Sequence, residues 1–254
     1  MISTNENPNS NDKINTVKMT VVAAIALILA CSTVLFFYII PQSKYDKAMS
    51  LYQEGKYDDA EAAFADLDYR DSQTRALEIQ LMNYEKGDVF KFGNYDWIVL
   101  DKQEKELLVI TKDAAFVMEY DFKDANVTWE NSRMRPILNF DFYEENFDRT
   151  ERTLIIEREN PNNPNPTYGI WGGAPTSDRI FLLSIDEANM YFEDNDSRVC
   201  TYSDDGCWWW LRSSGNQQHY AANVSITGEV VAFGNNVGEI YGAVRPAMRL
   251  KIAE

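Results

Sequence analysis

Cys200 and Cys207 close a short acidic stretch in CTYSDDGCWWWLRSSG, residues 200–215, and six residues separate the two thiols. Oxidised, they would form a small disulfide loop that stabilises the chain by about 2–3 kcal/mol. Reduced, they would be a redox or copper dithiol. The spacing lacks the CxxC pattern of zinc sites, and His219 is the sole histidine, so neither zinc nor a hydrolytic triad is expected. Glu193, Asp194, Asp196, Asp204 and Asp205 lie close by in sequence. Hard oxygens of this kind suit calcium at about 2.3–2.6 Å, but no EF-hand spacing is present, and a solvated acidic loop is the preferred reading. Phosphate loops and dinucleotide fingerprints are absent as well. The chain therefore offers no catalytic, cofactor-binding or metal-ligating residue to assign, with calcium as the one ion to consider. A structural disulfide between Cys200 and Cys207 is the expected use of the thiols.

Three tryptophans follow the second cysteine. On a strand, Trp208 and Trp210 share one face, and Trp209 shares the other with Leu211. Core packing is the expected main use of these rings. Should one face meet solvent, an indole there would suit stacking on a sugar or gripping a peptide. The candidate ligand face is then Trp209, Arg212, Asn216, Gln218 and Tyr220. Arg212 and Arg245 have an alternative role, satisfying backbone carbonyls inside the fold.

These residues need a scaffold, and the chain is long enough to provide one. With 45% hydrophobic and 13% aromatic residues, its 254 positions support a β-rich core. The net charge of −16 repels nucleic-acid phosphates, which removes that partner class. Met19 to Ile40 contains no charged residue. As a helix it would span about 33 Å, enough for a hydrocarbon core. A single transmembrane helix over 19–40 is expected, flanked by Lys18 and stopped by Pro41. Cys31 falls inside it and is read as an inert thiol rather than a lipidation site. Lysines lie on both sides of the helix, so the positive-inside rule does not fix its orientation. A disulfide after residue 40 would instead place the body in an oxidising, extracytoplasmic space. The polar tail 1–18 reads as disordered and cytoplasmic.

Residues 42–86 show apolar positions at helical spacing: Tyr45, Ala48, Leu51 and Tyr52, then Ala60, Phe64 and Leu67. Gly55 should end one helix and Lys56-Tyr57 begin the next, with a third starting at Asp71-Ser72 and running to about Lys86. The pattern resembles a single tetratricopeptide repeat, read as a stalk. A partner docking on it would need an exposed apolar patch around Tyr45, Tyr52 and Phe64. At Gly87 the period becomes strand-like. A hairpin turns at Gly93-Asn94, and ELLVITK gives a third strand. A helix is expected over about 132–147 with Pro136 in its first turn, and another over 185–192. ENPNNPNPTYGIWGGAP is a loop. WWWLR, AANVSI, EVVAFG and VRPAMRLKI read as four strands.

KGDVFKFGNYDWIVLD, WENSRMRPILNFDFYEENF, DRIFLLSIDEANMYF, GCWWWLRSSG and YGAVRPAMRLKI occur in that order. Together they resemble a bacterial family catalogued as domain of unknown function 6273, over residues 87–254. Ser214 and Ala243-Val244 depart from the usual family wording. The Trp-rich strand and Arg-Pro ending also resemble C-type-lectin-like domains, the formylglycine-generating-enzyme branch in particular. The calcium-lectin sugar motifs Glu-Pro-Asn and Gln-Pro-Asp are absent.

The expected architecture is α+β. A disordered tail (1–18), a transmembrane helix (19–40) and a helical stalk (42–86) precede a C-type-lectin-like domain of short antiparallel strands (87–254). The expected protein is a single-pass cell-membrane protein with its C-terminal domain extracytoplasmic. Its function is read as noncatalytic binding of a glycan, peptide or protein. The alternatives are an enzyme of the formylglycine-generating type and a scaffold that partners a membrane complex through the stalk.

Overall fold

The computed structural model describes residues 9–253. It divides into two compact units, the first ending at Ala76 and the second starting at Leu77.

The first unit is helical. α1 (Asn9–Val34) passes through a π-turn, Leu35–Ile39, into α2 (Ile40–Gln53). The helix is long and apolar enough to cross a membrane, and its apolar side chains are exposed. Two expectations change here. Helix begins at Asn9, so the tail read as disordered over 1–18 is helical from that point; residues 1–8 lie outside the described residues. Propagating a helix from an apolar segment costs little once the segment is wound. Pro41 does not stop the helix either. Proline removes an N–H and clashes with the carbonyl four residues back, and the wider turn just before it, with Ile40 N–H bonded to Leu35 O, accommodates the ring.

Gly55, at φ +73°, ends α2, and α3 (Tyr57–Ala65) follows. Tyr45 and Phe64 pack edge-on at 5.6 Å, and both are buried. The Tyr45 hydroxyl donates to Asp71 at 2.6 Å and accepts from Arg75 at 3.0 Å. The apolar patch that a docked partner would need is thus turned inward at Tyr45 and Phe64. α4 (Ser72–Met82) crosses the division between units. Its later residues Leu77, Leu81 and Met82 join the core of the second unit, where Ala253 N–H bonds Glu78 O and Lys251 pairs with the Glu78 carboxylate. Helical periodicity finds this helix but does not say which core owns its far end, so the boundary moves from Gly87 to the middle of α4.

The second unit is built on two large sheets, with two further two-stranded ribbons, 158–160 with 176–178 and 200–202 with 205–207. β1 (Val89–Phe92) and β2 (Tyr95–Gln103) form the expected hairpin, with Gly93 at φ +57°. β3 (Glu106–Thr111) continues that sheet, and β4 (Phe116–Val117) belongs to the other. α5 (Met134–Pro136), a π-turn and α6 (Tyr143–Asn146) form the expected helix, with Pro136 in its first turn. TERTLIIERE is both helix and strand: α7 (Arg149–Leu154), β5 (Ile155–Ile156) and the start of β6 (Arg158–Asn160). After the Pro-rich loop come β7 (Thr176–Asp178), β8 (Ile180–Phe181) and α8 (Ile185–Tyr191), which Ser184 and Glu187 cap reciprocally. α9 (Asn195–Arg198), β9 (Cys200–Tyr202), β10 (Asp205–Cys207), β11 (Trp209–Ser214), β12 (Tyr220–Val224), β13 (Val230–Asn236), β14 (Ala243–Val244) and β15 (Ala247–Lys251) complete the chain.

One sheet runs β1-β2-β3-β15-β5, with β8 also on β15. The other runs β13-β12-β11-β14-β4. Pairing is antiparallel except between β11 and β14. The last predicted strand is therefore two strands. Val244 pairs with Phe116 in one sheet and Ala247 with Ile110 in the other. Arg245-Pro246 makes the crossing, where proline's missing N–H breaks the ladder. Trp97, Trp129, Trp209 and Trp210 fill the core.

Candidate functional site

β11 sets the site, and it is buried along its whole length. The Trp209 indole is fully buried and donates to Arg198 O at 3.0 Å. The Trp210 indole, also buried, donates to Met118 O at 3.0 Å. Trp208 is half-buried and lies edge-on to Trp210 at 4.6 Å. Arg212 is 2% exposed. Its guanidinium pairs with Glu187 and donates to Leu182 O at 2.9 Å and Pro161 O at 3.2 Å. Burial alone would raise the Glu187 carboxyl, but the Arg212 charge and its hydrogen bonds outweigh that and hold it below the usual carboxylate range. Trp209 and Arg212 therefore leave the candidate ligand face. Alternation assumes one wet face, whereas here both faces of the strand are covered.

The other three predicted residues, Asn216, Gln218 and Tyr220, are part-exposed and sit in and just after the turn that follows β11. Asn216 N–H bonds Phe233 O at 2.9 Å, and its side-chain oxygen is buried without a hydrogen-bond partner among the described residues. Gln218 donates to Val127 O at 3.2 Å and Trp171 O at 3.4 Å. Tyr220 meets Phe233 edge-on at 5.6 Å.

Around this turn lie aromatic residues that sequence reasoning does not select. Trp171 is 59% exposed, Phe233 48% and Tyr168 46%. Two of them belong to the Pro- and Gly-rich loop, which is held in place by Asn165. Its buried amide donates to Ser214 O (2.7 Å), Gly215 O (3.3 Å) and Ala232 O (2.8 Å), and its oxygen accepts from the N–H groups of Thr167 and Tyr168. Ser214 in turn donates to Trp171 O at 3.0 Å. Gly172 fits only because it lacks a side chain: a Cβ there would stand 2.4 Å from Asn163 O. The loop is a fixed platform that holds two large rings in solvent. An aromatic pair inside NPTYGIW, without an apolar period to bury it, is the signal that could have found them.

The acidic residues have local duties. Asp194 caps α9 by accepting Ser197 N–H at 2.8 Å, and Ser203-Asp204 forms the β9–β10 turn with both φ positive. Among the described residues, no group of three His, Cys, Asp or Glu side chains is arranged to hold a metal ion. Cys200 and Cys207 face each other across that hairpin as free thiols with Sγ atoms 3.6 Å apart. A part-exposed cleft of about 380 Å³ beside Arg135, Asn139, Phe140 and Arg179 is a separate feature. Its arginines are already paired, Arg135 with buried Asp178 and Arg179 with Glu157.

Residues 104–252 match the family described as Domain of unknown function (DUF6273), and the chain belongs to that family. No curated protein and no solved structure matches the chain.

Proposed function

We propose that this DUF6273 chain is a single-pass, membrane-anchored binding protein whose sheet domain is extracytoplasmic and takes its ligand noncatalytically at the Tyr168–Trp171 loop. The observation that carries this reading is the pair of exposed rings on a loop fixed by Asn165. An exposed indole costs solubility and invites nonspecific contact, and this one is held out by a built hydrogen-bond network rather than left on a slack segment. The half-buried Tyr220 ring and the polar groups of Asn216 and Gln218 border the same platform. Rings that stack with neighbouring amides that hydrogen-bond are the chemistry of sugar recognition, and the charge of −16 favours a neutral ligand over an anionic one. A glycan is therefore the ligand we assign. The helix over 15–53, long and apolar enough to cross a membrane, supports the anchor.

The test is a glycan and peptide binding screen on the full chain in detergent, with and without calcium, repeated with Trp171→Ala. Glycan binding that Trp171→Ala weakens by about two- to twelvefold or more, at unchanged thermal stability, supports the assignment; stacking of one ring is worth ~0.5–1.5 kcal/mol. Peptide binding alone, no binding, or glycan binding indifferent to Trp171 refutes it.

A further inference from the structure

A buried cation acts electrostatically on the two thiols. Arg245 is 1% exposed. Its guanidinium donates to Thr111 O at 2.7 Å, Lys112 O at 2.9 Å and Arg198 O at 3.4 Å, and it lies over the rings of Trp209 (5.2 Å) and Phe192 (5.4 Å). Among the described residues no carboxylate forms an ion pair with it, although the exposed Asp113 contributes at longer range. Two of the carbonyls it holds, Thr111 O and Lys112 O, lie where β3 ends, and Arg245 itself stands where β14 gives way to β15. The charge is thus fixed by the fold and cannot turn to water.

Cys200 and Cys207 share this neighbourhood but differ in access. Cys200 is 1% exposed and Cys207 is part-exposed. They are direct partners on adjacent antiparallel strands. Such partners have Cα atoms about 4.5–5.5 Å apart, within the range a disulfide bridges. The hairpin is tied down by Ala114 N–H on Thr201 O (2.9 Å) and by the Thr201 hydroxyl on Asp113 (2.6 Å), so the thiols stay apposed when reduced.

We propose that Cys200 and Cys207 form an exchangeable disulfide that small thiols and disulfides open and close through Cys207, with Cys200 as the buried leaving thiolate. This goes beyond a static crosslink and does not depend on the ligand assigned above. In the opening direction an external thiolate attacks Cys207 Sγ. The new S–S bond forms there, the Cys207–Cys200 bond breaks, and its electron pair stays on Cys200 Sγ. A second external thiolate attacks its own kind in the mixed disulfide, releasing the external disulfide and Cys207 thiolate; solvent protons neutralise the products. Two external thiols are oxidised and one protein disulfide is reduced. Closing is the reverse, with an external disulfide as oxidant. Exchange is faster when the leaving thiol is more acidic. In the dithiol, Cys207 donates to Cys200 Sγ, and that bond first, with the Arg245 charge in support, holds the Cys200 thiol below its ordinary range against the opposing effects of burial and Asp113; in the mixed disulfide Cys207 has no S–H to give, and the Arg245 charge is what favours the leaving Cys200 thiolate. In the dithiol the same bond, with burial, pushes Cys207 up.

The experiment equilibrates the full chain in detergent with defined ratios of reduced and oxidised glutathione, with Cys31→Ser as background. Alkylation and peptide mass spectrometry map each sulfur, and tryptophan fluorescence reports folding. The pair should interconvert fully between dithiol and disulfide while the domain stays folded, and trapped glutathione should sit on Cys207 about tenfold more than on Cys200. Asp113→Asn, a surface change that keeps a Thr201 partner, should speed opening roughly twofold by removing the opposing charge. A disulfide that stays closed in excess glutathione, thiols that never close, adducts chiefly on Cys200, or opening in Asp113→Asn at or below the wild-type rate overturns the proposal.

Discussion

Glu187→Ala tests whether the Arg212 pair holds the second unit together. The Arg212 side chain is 2% exposed and the Glu187 side chain 16%. Removing the carboxylate leaves a guanidinium that keeps Leu182 O and Pro161 O but has lost its counter-charge. Leaving one partner of a buried pair uncompensated costs about 3–5 kcal/mol. The substitution also removes the acceptor for Ser184 N–H at the start of α8, which adds about 0.5–1 kcal/mol. Glu187→Gln keeps an acceptor for that N–H while losing the charge, so it should cost less than alanine. All six tryptophans lie in the second unit, so fluorescence during urea unfolding reports that unit alone. With a slope near 2–3 kcal/mol per molar, the alanine variant should lower the midpoint by about 1.2–3 M. The pH response has a fixed sign. The folded carboxyl is held below its unfolded value, so its contribution is present above the unfolded carboxylate range and fades as pH falls through the depressed folded value. Glu187→Ala should erase that part of the acid sensitivity. A midpoint shift under about 0.3 M, or equal costs for glutamine and alanine, would refute the reasoning.

Other outcomes follow from the same contacts. Gly242→Ala places a Cβ 1.9 Å from Trp210 Nε1; the indole must shift off Met118 O, at a cost of about 1–3 kcal/mol in unfolding free energy measured by urea titration. Asn165→Ala strips three carbonyls of one donor and frees the aromatic loop; we expect about 1–3 kcal/mol of destabilisation and proteolytic nicking within 161–175, and a loop as resistant as wild type would contradict the bracing role. Trp171→Ala should leave the unfolding free energy from urea titration within about 0.5 kcal/mol of wild type, because the ring is largely in solvent.

Much of the scaffold is legible in the sequence because it depends on local chemistry. Gly55 ends a helix, Gly93-Asn94 turns a hairpin, and Ser184 with Glu187 caps α8. What is not legible depends on tertiary partners. The run at 243–251 alternates like one strand, yet only the fold decides that Arg245-Pro246 changes sheets. Pro41 looks like a stop until the preceding turn widens. WWWLR alternates like a half-exposed strand, yet it has cover on both faces, and so its tryptophan and arginine vanish from the ligand face.

The arginines bear on why the proposed recognition is assigned to a loop. Arg198 bonds Ala188 O, Arg212 bonds Leu182 O and Pro161 O, and Arg245 bonds Thr111 O and Lys112 O. Each is buried and secures carbonyls that regular structure leaves open: Arg198 in the last turn of α8, Arg212 and Arg245 beyond the ends of strands. A domain in which about half the strands are only two or three residues long needs such donors inside, and those donors are then not free to meet a ligand. The polar and aromatic groups left free are those on segments that stay at the surface. Asn165 holds one such segment still without using a charge, which leaves Tyr168 and Trp171 outward beside Gln218. Substituting the arginines should therefore lower stability before it touches any ligand, whereas substituting Trp171 should do the reverse. That separation is what distinguishes a loop-borne site from one built on the tryptophan strand.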